Sequence, residues 1–177
     1  MSWEKDLEEL KKRAELAKEM GGIERIAKHY ARGRLTVRER IDQFLDKDSF
    51  HETGEITGKV SYDESGEIKE FIPANFVFGR GKVDGREVVI AGDDFTVRGG
   101  AADARIGNKS LYSLKLAEHL RLPLVNLVDG SGGGGSVKTL ETMGATYVPG
   151  LPSWQNIVRL LSMVPVVGAC MGSVAGL

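Results

Sequence analysis

Hydrophobic positions near the start of the chain recur at alternating steps of four and three. Trp3, Leu7, Leu10, Ala14 and Ala17 form one stripe along a helix of about five turns, with charged residues on its other sides. Gly21-Gly22 is where that helix is expected to close, since glycine adopts the left-handed conformation of a helix end without a steric penalty. A second short helix is predicted over 23–31. A third is predicted to begin at Thr36, because Thr36 followed by Glu39 is the capping-box pattern. The stripe is too narrow to make a core alone, so these helices are expected to pack onto something else.

From Gly54 the period becomes that of strands. Apolar-rich runs at 56–62 and 71–83 are separated by the polar stretch DESGEIKE, and Asp84-Gly85 is a tight-hairpin signal leading into a strand at 87–92. The stretch DDFTVRGGAADARIGNK then runs into a helix predicted over about 102–120. A strand at 124–128, a glycine loop, a helix around 153–163 and a strand at 164–169 complete the pattern. Strands alternating with helices, and strands that are almost continuously apolar, predict parallel pairing in a layered α/β fold.

Composition sharpens this picture at three points. Residues 1–50 carry 12 Lys or Arg and 11 Asp or Glu, against six and four in residues 99–177, so the first part is rich in surface and the last part in core. Net charge is -1, which gives no basic excess for nucleic acid or an anionic membrane, and no apolar run reaches the roughly 18 residues of a membrane span. A lone Cys170 fits a reducing compartment and excludes an intramolecular disulfide framework. The expectation is a single cytoplasmic domain of 177 residues with no signal peptide.

The candidate chemistry lies in VDGSGGGGSV, residues 128–137, directly behind an apolar strand. Glycine is the costliest residue to order, so five of them at a strand end suggest that something approaches the backbone there. Gly130, Gly132 and Gly135 satisfy the dinucleotide fingerprint literally, but the next strand ends in Gly168-Ala169-Cys170 without the acid that such a site needs. Lys138-Thr139 come too late after Gly135 for a P-loop. Ser131 would be a nucleophile elbow only with glycine where Asp129 stands. A second small-residue turn, Gly172-Ser173-Val174-Ala175-Gly176, follows the next apolar strand in the same way. Two parallel strands would then deliver bare N–H groups to one end of the sheet, where converging donors make an oxyanion hole. Tight packing would equally call for small residues in both turns.

Four stretches together resemble the carboxyltransferase (beta) subunit of biotin-dependent acyl-CoA carboxylases of the propionyl-CoA and acetyl-CoA type: GRLTVRERIDQFLDKDSFHETG, GRGKVDGREVVIAGDDFTVRGGAADARIGNK, LPLVNLVDGSGGGGSVKTLETMG and VPVVGACMGSVAGL. They follow the family order and span nearly the whole chain. The resemblance implies a crotonase-like fold of stacked ββα units, with residues 1–50 as an N-terminal helical segment and 51–177 as the first part of the N-terminal carboxyltransferase domain. The chain is accordingly expected to be an N-terminal portion of a longer enzyme.

The implied reaction moves a carboxyl group from carboxybiotin, carried by a partner domain, to the α-carbon of a short-chain acyl-CoA. Biotin itself takes the substrate proton, and no metal is expected. Carried over by position, Gly132, Gly133 and Gly134 match the family's Ser-Gly-Gly turn, which holds the thioester enolate. The amides of Gly176 and Leu177 match its Ala-Gly-Gly turn on the biotin side. Two departures stand out: Leu177 replaces a glycine, and the loop is longer and richer in glycine than the family's Asp-Ser-Gly-Gly-Ala-Arg. Arg98, Arg105 and Lys109, with Lys138 beside the loop, are candidates for the CoA phosphates, and ordinary solvated charge is the alternative for each. Implied partners are a biotin carboxyl carrier, a biotin carboxylase, a C-terminal carboxyltransferase domain and further copies of the chain. Two other functions share the fold: a non-catalytic CoA-binding or assembly module, and a biotin-independent acyl-CoA hydratase or decarboxylase.

Overall fold

A computed structural model describes residues 3–101, 106–130, 140–141, 144–145, 154–172 and 174. Three helices come first: α1 (Glu4–Lys18), α2 (Ile23–Tyr30) and α3 (Val37–Phe44). Five strands follow: β1 (His51–Glu52), β2 (Gly58–Tyr62), β3 (Ile68–Pro73), β4 (Phe76–Val83) and β5 (Arg86–Asp93). The remaining elements are α4 (Lys109–Leu120), β6 (Leu124–Val128), α5 (Trp154–Leu161) and β7 (Val166–Cys170).

The main sheet has the order β1-β4-β5-β6-β7. Pairing is antiparallel from β1 to β5 and parallel from β5 to β7, where helices make the crossovers. Alternation along β5 separates two cores. Val88 and Ile90 face α3, in a cluster with Val37, Ile41, Val125 and Leu127, while Val89 and Ala91 face α4 and α5, with Phe78, Leu114, Ala117 and Leu160. The sheet is thus covered on both faces, as its apolar strands require. Among the described residues no helix is long and apolar enough to cross a membrane.

The capping box is present as expected. Glu39 N donates to Thr36 Oγ1 at 3.3 Å, and Thr36 N donates to Glu39 Oε2 at 2.8 Å. The Asp84-Gly85 hairpin also forms, with φ of 49° and 76°, and the Asp46 carboxylate accepts from both turn amides at 2.9 and 2.8 Å.

Elsewhere the chain departs from expectation. The apolar run 71–83 divides into β3 and β4 at Ala74-Asn75. Asn75 Nδ2 donates to Ala101 O at 2.9 Å and the Asn75 backbone carbonyl accepts from Asp94 N at 2.9 Å, so the chain changes sheets where a continuous apolar run concealed a corner. The stretch DESGEIKE is itself a hairpin: the Asp63 carboxylate takes the amides of Ser65 and Glu67, and β3 starts inside it at Ile68.

At the end of α1 Met20 and Gly22 have positive φ, 52° and 85°, and Gly21 does not. Gly21 is needed for contact instead, because a Cβ there would lie 2.1 Å from Thr96 O. The helix predicted from 102 begins at Lys109, after Gly107 turns the chain with φ 63°; residues 102–105 lie outside the described set. The α1 stripe is mostly uncovered, with Trp3 75% and Leu7 54% exposed, because the helix meets the body only near Ala17 and meets the β2–β3 hairpin through polar groups such as Tyr62, Glu9 and Arg13.

Candidate functional site

Strands β5, β6 and β7 point their carboxyl ends the same way, and three chain segments meet there: the loop after Asp93, Asp129-Gly130, and Met171-Gly172. Open α/β sheets place their sites at this end. The approach is too close for side chains. A Cβ on Gly130 would sit 2.7 Å from Gly100 O, one on Gly100 would sit 2.9 Å from Asp129 O, and one on Gly172 would sit 2.3 Å from Asp129 Oδ1. Gly100, Gly130 and Gly172 are therefore glycines of contact, and two loop backbones touch directly at the root of the glycine loop.

Asp129 is the hub. It is fully buried, its Oδ2 accepts from Arg40 Nη1 at 2.6 Å, and Arg34 Nη1 lies 3.8 Å from its other oxygen. Its own amide donates to Asp93 Oδ2 at 3.3 Å. Arg40 is itself 7% exposed, so the pair is shielded from water and geometrically fixed. The connection ties α3 to the loop root across 89 positions of sequence.

Around this hub, Asp94 accepts from Thr96 N at 2.9 Å and from Thr96 Oγ1 at 2.5 Å, and Gly21 N donates to Thr96 Oγ1 at 2.9 Å. Burial pushes the Asp94 carboxyl above the usual carboxylate range, and the Thr96 bonds oppose that only in part. An acid whose pKa is raised by folding contributes most stability below its unfolded pKa, near pH 4, and loses it as pH rises through the folded value. Asp94→Asn keeps an acceptor for Thr96 and removes that loss. Its melting temperature is expected to exceed that of the parent at pH 7.5 and to match it near pH 4. A lower melting temperature at pH 7.5 would show that the charge itself holds the loop.

The positions singled out from the sequence are distributed unevenly. Gly132, Gly133, Gly134, Lys138, Gly176, Leu177 and Arg105 lie outside the described residues, which include the roots of both small-residue turns at Gly130 and Gly172. Arg98 is exposed on the loop after β5, with φ 51°. Lys109, expected as a surface cation, is buried at 5% exposure with Nζ 3.2 Å from Glu52 Oε1, and Arg38 holds the same carboxylate at 2.7 Å. Burial lowers the Lys109 ammonium pKa while Glu52 raises it, and the residue braces the start of α4 against β1. Among the described residues no group of three or more His, Cys, Asp or Glu side chains is arranged to hold a metal. Asp129 and Arg40 were not singled out from sequence; the available signals were an acid closing an apolar strand before glycine and an arginine on the capped helix.

Residues 28–176 match the model of the carboxyl transferase domain family. The chain is 30% identical, over 99% of its length, to the propionyl-CoA carboxylase carboxyltransferase subunit of Haloferax mediterranei. It is 34% identical, over 90%, to a probable biotin-dependent acyl-coenzyme A carboxylase beta2 subunit of Mycobacterium tuberculosis, and 31% identical, over 97%, to methylmalonyl-CoA decarboxylase subunit alpha of Propionigenium modestum. These alignments cover 33%, 29% and 32% of the relatives, so the chain spans about a third of their length. Among solved structures it resembles transcarboxylase 12S, a hexamer with methylmalonyl-coenzyme A and methylmalonic acid bound, at a TM-score of 0.70 and 26% identity, over 95% of this chain and 32% of that one. It also resembles a single-chain, multi-domain long-chain acyl-CoA carboxylase at a TM-score of 0.66 and 26% identity, over 92% of this chain and 17% of that one. The fold is thereby the crotonase-like α/β fold of carboxyltransferases.

Proposed function

Because the chain belongs to the carboxyl transferase domain family, we propose that it forms the acyl-CoA-binding part of a carboxyltransferase acting on a short-chain acyl-CoA such as propionyl- or acetyl-CoA. The observation that carries this reading is the glycine-only contact at the carboxyl ends of β5, β6 and β7, which brings backbone rather than side chains together at the root of the glycine loop. The relatives named above all handle a carboxyl group on a CoA-linked acid or carboxylate an acyl-CoA, so what they share is chemistry at the α-carbon of a thioester. Removing a proton or a carboxylate from that carbon places negative charge on the thioester oxygen.

The amides of Gly132, Gly133 and Gly134 are assigned to hold that oxygen, since preorganised N–H donors stabilise a developing oxyanion without an ionisable side chain. The Arg40–Asp129 pair fixes the root of the loop that carries these residues. Gly176 and Leu177 are assigned to the biotin side, in the small-residue turn that contains Gly172, whose missing side chain leaves room for Asp129 Oδ1. Carboxybiotin, brought by a partner, would supply the activated carboxyl group. The enzyme is read as an oligomer working with biotin carboxylase and carrier components. The likeness to a methylmalonyl-CoA decarboxylase subunit favours one second reading, in which the same enolate forms by loss of carbon dioxide.

Calorimetric titration of the chain with acetyl-CoA and propionyl-CoA tests the reading, alongside Gly133→Pro, which removes one loop amide. Saturable binding weakened by about tenfold or more in the variant supports it. A folded chain that binds neither thioester refutes it.

A further inference from the structure

The apolar stripe of α1 takes no part in the candidate site, and its own chain leaves most of it uncovered. Trp3, Leu7 and Leu10 are 75%, 54% and 43% exposed, while Ala17 is buried and anchors the carboxyl end of the helix to the body. A contiguous row of exposed apolar side chains is a contact surface rather than ordinary surface. The row also has a regular spacing. Trp3, Leu7, Leu10, Ala14 and Ala17 follow one another at steps of four, three, four and three, which is the a/d repeat of a coiled-coil seam. With Leu7 and Ala14 at a, and Trp3, Leu10 and Ala17 at d, the e positions beside the seam are Glu4, Lys11 and Lys18. The g positions are Asp6, Arg13 and Met20.

These residues select one partner and one orientation. In an antiparallel pair of α1 helices, Leu7 lies level with Leu10 of the second copy. Trp3 then lies level with Ala14 of that copy, so the largest side chain of the seam meets one of the smallest. The same register sets e against e and g against g: Glu4 faces Lys11, Asp6 faces Arg13, and the two-fold axis repeats both pairs. All four flanking pairs are of opposite charge, which fixes register and orientation. Arg13 is already held in place on its own chain by Glu9, at 2.5 Å, and by Tyr62.

The alternatives fit worse. Sliding the antiparallel pair by one heptad sets Lys11 against Lys11 and Arg13 against Arg13. A parallel pair stacks Trp3 on Trp3, sets Arg13 against Lys18, and brings both bodies to the same end of the helices, since each is attached near Ala17. The antiparallel pair places the bodies at opposite ends.

We propose that α1 is a docking surface for α1 of a second copy of this chain, paired antiparallel. The seam is two heptads long and therefore a small interface, so the pairing is reversible and depends on concentration. The proposal stands on α1 alone and is independent of the acyl-CoA reading.

Sedimentation equilibrium of the whole chain over a range of concentrations tests it, with circular dichroism to confirm folding. L7E/L10E should fold, because both side chains are exposed in the single chain. The expected result is a reversible monomer–dimer equilibrium that L7E/L10E weakens by about tenfold or more, since the seam would bury two carboxylates. Lys11→Glu, which sets an acid against Glu4, should weaken it too, and E4K/K11E should restore it. Val158→Glu, on the exposed apolar face of α5, should leave it unchanged. A parent chain that is monomeric at every concentration overturns the proposal. So does association that L7E/L10E leaves intact, or that only Val158→Glu breaks, which would move the contact to α5. A loss in Lys11→Glu that E4K/K11E does not restore overturns the antiparallel register.

Discussion

Asp129→Ala is expected to cost about 3–5 kcal/mol of folding stability, because it strands the Arg40 guanidinium in a site shielded from water. For a chain of this size that is a fall in melting temperature of about 10 °C or more. The loss is that of an unpaired buried charge rather than of the pair's net worth, so Arg40→Met combined with Asp129→Leu should recover part of it. Thermal denaturation of the three proteins decides the matter. A single variant that melts within about 2 °C of the parent would mean that the pair contributes nothing. Acyl-CoA affinity should fall in Asp129→Ala at temperatures where the variant is still folded, since the loop root loses its tie to α3.

Gly172→Ala is expected to act on the same residue from the opposite side. Gly172 has no positive φ to forbid a side chain, so the effect is purely steric: the new methyl would sit 2.3 Å from Asp129 Oδ1 and 3.2 Å from Arg34 Nη1. A mobile carboxylate would step aside, but this one is bound to Arg40 and fully buried. Overpacking at such a point costs about 1–3 kcal/mol. The cost should shrink when Gly172→Ala is made in an Asp129→Gly background, where the colliding atoms are gone. Equal losses in both backgrounds would locate the strain elsewhere.

The layered α/β fold was legible because its strands show period two or continuous apolarity, and the capping box at Thr36 because its partners are three residues apart. The parallel order followed from helices lying between strands. What escaped the sequence was set by tertiary contact. Nothing local separates β3 from β4 within an apolar run, since the corner is held by Asn75 bonding to Ala101, a distant residue. Lys109 reads as a surface cation until Glu52 and Arg38 are brought beside it. Asp129 and Arg40 are ordinary residues in ordinary contexts, and their pairing exists only once α3 lies across the strand ends.

The hairpin clasped by Asp46 also implies an order of assembly. β4 and β5 meet across two residues already in left-handed conformation, so their pairing closes the shortest loop in the main sheet. β6 can join only after the chain has passed through α4, and β7 only after α5. Loop-closure entropy therefore favours growth outward from the hairpin, with parallel pairing slowest. The candidate site needs the ends of β5, β6 and β7 together, so it is completed last, along with the parts of both cores that β6 and α5 supply.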